Sequence, residues 1–353
     1  MEPARDLHVL EMIPLISPNE LKVEVPISDA AAETVAEARR AVRNIFHRED
    51  DRLLVIVGPC SIHDPEASLE YARRLAKYAK QMNDRLLVVM RTYFEKPRTT
   101  IGWRGLINDP HLDGSYDMAS GLRIGRKLLV DINSMGLPTA VEMLDPVTPQ
   151  YIAELVCCTA IGARTTESQT HRALASGLSM PVGFKNATDG GLQVAIDAAI
   201  SARNRHSFLG IDLEGKSCVV KTTGNPDGTL ILRGGRKSTN YDVESIVNAS
   251  QQMGNAGLIS SVVVDCSHAN SGYDVKKQQE VWKQVVDERG ASNGAMVGIM
   301  VESNLFEGKQ SIPSNLADLK YGVSVTDACI GWEDTERLLE YTYEHSAPAV
   351  VAA

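Results

Sequence analysis

From residue 53 onward the chain alternates between short, almost uninterrupted apolar runs and longer stretches in which apolar residues recur every three or four positions. The first pattern belongs to strands buried on both faces and the second to helices that cover them, so the rhythm predicts repeated strand-helix units around a parallel sheet. Eight runs are read, at 53–57, 86–90, 139–143, 160–163, 182–184, 230–232, 261–266 and 296–301. Eight is the number that closes a parallel barrel, and the expected fold class is α/β, a (β/α)8 TIM barrel. The intervening stretches at 64–80, 121–136, 189–204 and 242–257 are amphipathic and end near Gly or Asn, as helices do. Residues 1–50 read differently: an extended start broken by Pro14 and Pro18, then Ser28-Asp29 as a cap before one amphipathic helix. The expected division is an N-terminal extension, 1–50, an arm and one helix, and a barrel domain, 51–353. Within the latter, two β-rich runs at about 206–224 flank Glu214-Gly215 as an inserted β-hairpin.

In such a barrel the active face lies at the C-terminal ends of the strands, where side chains from many strands converge. The eight runs are followed by Gly58-Pro59-Cys60-Ser61, Arg91 with the segment 93–99, Glu142, Arg164, Lys185, Arg233, His268 and Glu302. Arg91, Lys96, Arg98, Arg164, Lys185 and Arg233 thereby make a cationic mouth on a chain whose 36 Lys and Arg face 45 Asp and Glu, a net charge of −9. A positive field built against the net charge points to multiply charged anions, phosphates first. Arg offers a planar fork and Lys a point charge, so the mixed set suits a substrate carrying both phosphate and carboxylate. The acidic balance argues against nucleic acid or an anionic membrane surface as partner. No apolar run approaches the ~18–20 residues of a bilayer span, and Glu2, Asp6 and Glu11 interrupt the stretch a secretion signal needs. The expected location is cytoplasmic, with reduced thiols.

A second grouping joins Cys60, His268 and Glu302, at the ends of the first, seventh and eighth runs, with Asp327 from the segment VSVTDAC. First and last strands of a closed barrel are neighbours. One thiolate, one imidazole and two carboxylates suit a borderline divalent ion, Mn, Fe, Co or Zn, and the mixed set at a barrel mouth favours an ion with a position free for substrate. A lone Cys or His is more often simply buried; convergence of four donors is what distinguishes this set. Weaker signals are a single Arg-Gly-Gly at 233–235, read as a strand end, Lys185 as a Schiff-base candidate, and Cys157-Cys158, expected to face a helix interior.

The motifs GPCSIHDP (58–65), RTYFEKPRTTIGWRGLINDP (91–110), IGARTTESQ (161–169), PVGFKNATDG (181–190), ILRGG (231–235), DCSHAN (265–270), GIMVES (298–303) and YGVSVTDACIGWE (321–333) resemble those of class I 3-deoxy-D-arabino-heptulosonate 7-phosphate (DAHP) synthases. The segment Lys96-Pro97-Arg98-Thr99 separates that family from the related octulosonate 8-phosphate synthases. The resemblance implies a metal-dependent condensation of phosphoenolpyruvate with erythrose 4-phosphate, releasing phosphate at the entry to the shikimate pathway. It implies one divalent ion on Cys60, His268, Glu302 and Asp327, with Lys96, Cys60 and His268 as catalytic residues. Arg91, Ala163, Arg164, Lys185 and Arg233 would bind phosphoenolpyruvate, Lys96 would reach both substrates, Arg98 and Thr99 would take the erythrose phosphate, and Glu142 would orient water. It further implies feedback by an aromatic amino acid, tyrosine or phenylalanine before tryptophan, at Asp6, Gln150, Leu174, Ser179, Phe208 and Val220, and a homotetramer or homodimer built through the arm and the hairpin. Two other readings of the same cationic mouth stay open: a sugar-phosphate aldolase, metal-dependent or using a Schiff base on Lys185, which would not release phosphate, and a catalytically silent phosphometabolite sensor.

Overall fold

The computed structural model describes residues 8–346. Eight parallel strands close into a barrel: β1 (Leu53–Gly58), β2 (Leu86–Arg91), β3 (Thr139–Glu142), β4 (Cys158–Ile161), β5 (Val182–Lys185), β8 (Gly228–Leu232), β9 (Val262–Asp265) and β10 (Met296–Glu302). β1 pairs with both β2 and β10, which seals the ring. Alternate residues take opposite faces, as the strand period requires. Leu54, Ile56, Leu87, Val89, Ala140, Cys158, Ala160, Ile231, Val263 and Met300 form one buried cluster inside the ring, while Leu53, Val55, Val57, Leu86, Val88 and Met90 belong to another with the surrounding helices.

Two helices precede the barrel. α1 (Pro18–Glu24) is a short helix where the sequence pattern predicts an extended start; its cause is a capping box, in which Ser17 accepts from the Glu20 amide while Glu20 accepts from the Ser17 amide at 2.8 Å. α2 (Asp29–Phe46) begins at its Ser28 cap and buries Ala38, Val42, Ile45 and Phe46 against the barrel interior cluster. It therefore plugs the end of the barrel opposite the active face.

The fourth strand spans 158–161, two residues earlier than the apolar pattern indicates, and Gly162-Ala163-Arg164 forms the turn beyond it. Cys157 and Cys158 consequently do not face a helix interior. The Cys157 amide donates to Thr139 O at 2.9 Å, and Cys158 packs within the barrel among Ala140, Ala160 and Ile231, behaving as the small hydrophobe a narrow barrel accommodates. β6 (Ser207–Ile211) and β7 (Ser217–Lys221) form an antiparallel hairpin outside the ring, and its turn meets α1 where the Asn19 amide donates to Leu213 O at 2.8 Å. Among the described residues no helix is long and apolar enough to cross a membrane.

Candidate active site

Strand pairing itself assembles the candidate metal ligands. Gly58 of β1 is the register partner of Glu302 of β10, which sets Cys60, just past β1, beside the Glu302 carboxylate. The segment carrying Asp327 folds back over β10, tied by Ile330 N to Glu302 O at 3.0 Å and by the Ser61 and Thr326 hydroxyls at 2.7 Å. As a result, donor atoms of Cys60, Glu302 and Asp327 all lie within 4.8 Å of one another. His268 stands at the rim of this trio and is not within the same mutual distance: its Nε2 is 3.6 Å from Glu302 Oε1. Its backbone is left-handed, φ +56°, a conformation non-glycine residues adopt only when the surroundings impose it. Its Nδ1 lies 2.9 Å from Asp265 Oδ2, close enough for charge pairing but off the line of a good hydrogen bond.

The electrostatics of this cluster fit a cation. Burial pushes the Cys60 thiol up to about 11, and the Glu302 carboxylate adds to that effect. Burial also opposes ionisation of Glu302, yet His268, Arg91 and Lys96 outweigh it and hold the carboxyl at about 2. A borderline divalent ion is the counter-charge that would turn this thiol into a thiolate ligand alongside two carboxylates.

Above the trio opens a cavity of about 570 Å³ lined by Lys96, Arg98, Arg164, Lys185, Arg233 and Arg236, with Thr99, Ala163, Glu142, His268 and Asp327 also on its wall. Lys96 joins the two parts, its Nζ 3.1 Å from Cys60 Sγ; burial alone would lower its pKa, but Cys60 and Glu302 raise it above the ordinary lysine range. Lys185 pairs with Asp265 at 2.8 Å, and Arg233 donates to the Tyr273 hydroxyl at 3.1 Å. Arg98 and Arg164 have no ion pair among the described residues. Glu142 is buried, and its Oε1 has no hydrogen-bond partner.

Arg91 departs from the rest. It is fully buried and does not line the cavity; its guanidinium donates to Glu302 at 2.8 Å and to the carbonyls of Pro59 and Cys60, and lies 3.5 Å from the Tyr93 ring centroid. The structure thus sets it beneath the ligand cluster. Residues the sequence pattern did not single out are Arg236, Tyr273 and Asp265. Arg236 ends the Arg-Gly-Gly-Arg run and Asp265 opens DCSHAN, so position beside a chosen residue was the available signal.

A second cavity, about 190 Å³, lies between the hairpin and the barrel wall and is lined by Gln150, Leu174, Ser179, Phe208 and Val220. Asp6 lies outside the described residues. Lys22 of α1 and Glu154 complete the wall as an ion pair at 2.9 Å, with Arg126 held on the same carboxylate at 2.6 Å.

Comparison with known proteins gives a consistent result. The family model described as the DAHP synthetase I family matches residues 24–340. The Tyr-sensitive phospho-2-dehydro-3-deoxyheptonate aldolase of Escherichia coli K12 is 51% identical over 339 residues, 96% of this chain and 95% of that protein. The Phe-sensitive enzyme of the same organism is 53% identical over 334 residues, 95% of each chain. A solved structure of phospho-2-dehydro-3-deoxyheptonate aldolase from Francisella tularensis SCHU S4 superposes with a TM-score of 0.93 at 46% identity, covering 96% of this chain and 98% of the other.

Proposed function

The chain belongs to the DAHP synthetase I family, and from that premise we propose that it condenses phosphoenolpyruvate with D-erythrose 4-phosphate and water to give DAHP and inorganic phosphate, the first step of the shikimate pathway. The observation that carries this reading is the union of six cationic side chains in one cavity with three clustered metal-type donors beside it, Cys60 and Glu302 buried and Asp327 half-buried on the cavity wall. Both substrates are phosphorylated, and one is also a carboxylate, which is the ligand chemistry such a cavity recognises.

Cys60, His268, Glu302 and Asp327 would hold one divalent ion, Mn, Fe, Co or Zn; when bound, it supplies Lewis acidity toward the aldehyde oxygen of erythrose 4-phosphate. Arg164, Lys185 and Arg233, with the Ala163 backbone, bind phosphoenolpyruvate, while Arg98 and Thr99 take the phosphate of the erythrose. Arg91, locked under the floor, contributes fixed positive charge at the carboxylate end and holds Glu302 in place. Two substrates held at several points each are presented as a near-attack pair, which lowers the entropic part of the barrier. C3 of phosphoenolpyruvate forms a bond to the aldehyde carbon, and Lys96, kept protonated, gives its proton to the oxygen that becomes a hydroxyl. Positive charge developing at C2 is met by water, which Glu142, with its unpartnered oxygen, is placed to orient and deprotonate. The resulting hemiketal phosphate loses phosphate by C–O cleavage, its leaving charge stabilised by the Arg and Lys set.

The cavity lined by Gln150, Leu174, Ser179, Phe208 and Val220 is the proposed site for tyrosine or phenylalanine as feedback inhibitor. Exposed apolar side chains on the arm, Leu10, Met12 and Ile13, and on the hairpin, Leu209 and Val219, support a homodimer or homotetramer built through those segments. A cytoplasmic location is part of the same reading, supported by substrates whose phosphates keep them from crossing a membrane.

The test is stoichiometry and bond cleavage. Phosphoenolpyruvate carrying 18O in its C–O–P bridge should release one labelled phosphate per molecule consumed, and only when erythrose 4-phosphate is present. Consumption without phosphate release, or a borohydride-trapped adduct on Lys185, would assign the site to an aldolase instead.

A further inference from the structure

Asp265 is the last residue of β9, completely buried, and it sits between the two halves of the site. A single oxygen, Oδ2, lies 2.8 Å from Lys185 Nζ and 2.9 Å from His268 Nδ1. The other oxygen accepts from the Ser267 amide at 3.0 Å, and the Asp265 main-chain carbonyl accepts from Asn270 Nδ2 at 2.9 Å, so one carboxylate oxygen and the backbone that carries it are both held. A group so held cannot move toward one partner without moving from the other.

We infer that Asp265 is a positioning residue that couples the metal ligand His268 to the phosphoenolpyruvate-binding Lys185 through that shared oxygen. Facing the imidazole at 2.9 Å, off the line of a good hydrogen bond, the carboxylate acts by its charge: it favours the tautomer with the proton on Nδ1, which would leave Nε2, 3.6 Å from Glu302 Oε1, free to bind the ion. Facing the ammonium, it anchors a long, flexible side chain in a water-poor wall, so that Lys185 reaches the cavity in one orientation. The two roles compete for one oxygen. Whatever draws Lys185 away from Asp265, such as a substrate phosphate, leaves the carboxylate a stronger partner for His268. The inference rests on the proposed assignment of His268 to the metal and Lys185 to phosphoenolpyruvate, and deepens it by linking the two.

The experiment is a set of binding titrations that need no turnover: Mn binding to substrate-free protein by competition with a chelating dye, and phosphoenolpyruvate binding to metal-free protein by calorimetry. Asp265→Asn keeps the shape and is expected to weaken Mn binding by about 10–100-fold, the range for lost outer partners of ligating histidines, and to weaken phosphoenolpyruvate binding severalfold. Lys185→Met is expected to weaken phosphoenolpyruvate binding but to tighten Mn binding severalfold, whereas Arg164→Met, which removes a cavity cation that makes no contact with Asp265, leaves Mn binding unchanged. An effect of Asp265→Asn on one ligand only, or an unchanged Mn affinity in Lys185→Met, overturns the coupling. Should Asp265→Asn fail to fold, the Lys185→Met and Arg164→Met pair still decides it. If His268→Ala keeps full Mn affinity, or Lys185→Met full phosphoenolpyruvate affinity, the underlying site assignment fails instead.

Discussion

Glu95 shows how much a single buried carboxyl can weigh. It is almost completely enclosed next to Lys96, one oxygen has no partner, and burial together with the Asp145 carboxylate raises its pKa to about 7. The folded state therefore prefers the neutral form: this stabilisation is complete below the ordinary carboxyl range and is lost as the pH climbs through about 7. Such a displacement converts to roughly 3 kcal/mol. Glu95→Gln should melt at a higher temperature than the parent at pH 8 and show no gain at pH 5; equal melting at both pH values would contradict the assignment. Lys96 bridges the Cys60 thiol and the cationic cavity, which is where the proposed reaction needs its proton donor. Lys96→Met is expected to lower kcat by about 10²–10⁴-fold, the usual range for loss of a proton donor, with metal content, measured by elemental analysis, retained.

Between β2 and the helix Met118–Ser134 runs a long segment without regular structure, and it delivers Lys96, Arg98 and Thr99 to the cavity. Long irregular loops inside a compact domain are usually functional, and this one is pinned by Lys96 N to Arg104 O at 2.8 Å and Trp103 Nε1 to Asp109 O at 2.8 Å. At its bend Gly105 has φ +121°, and a Cβ there would collide with the Phe94 carbonyl. Gly105→Ala should cost about 1–3 kcal/mol in a denaturant titration and raise KM for both substrates; unchanged KM values would detach the loop from substrate binding. The strand-helix rhythm made the barrel legible because every strand is buried on both faces, which leaves uninterrupted apolar runs. It misplaced β4 since Cys157-Cys158 reads as the buried side of a helix and not as the opening of a strand, and it passed over α1, whose seven residues are set by a cap and not by periodicity. Side-chain placement within the site was less legible: a strand-end position marks a residue as near the mouth, but does not separate Arg98, which lines the cavity, from Arg91, which is consumed by contacts below it. His268 likewise needs the left-handed turn after β9, which no local pattern announces.

On the scale of the whole molecule, strand ends on one face form the proposed reaction site, α2 closes the opposite end, and the hairpin with α1 walls a second cavity at the side. Phe208 and Val220, register partners across the hairpin, both face that second cavity. Val220→Trp would fill much of its volume, about 190 Å³, and is expected to abolish inhibition by tyrosine or phenylalanine while kcat stays within about twofold of the parent, as for surface changes remote from the chemistry. Undiminished inhibition would place the effector elsewhere. The central claim, that distant donors converge on one ion beside a phosphate-binding cavity, is tested most directly by following phosphate release from phosphoenolpyruvate and erythrose 4-phosphate after chelator treatment and again after adding back one equivalent of Mn. The predicted result is loss of release with the chelator and its recovery at one ion per chain, with no recovery in Cys60→Ala. Full release in the stripped protein, or recovery in the Cys60 variant equal to the parent, would contradict it.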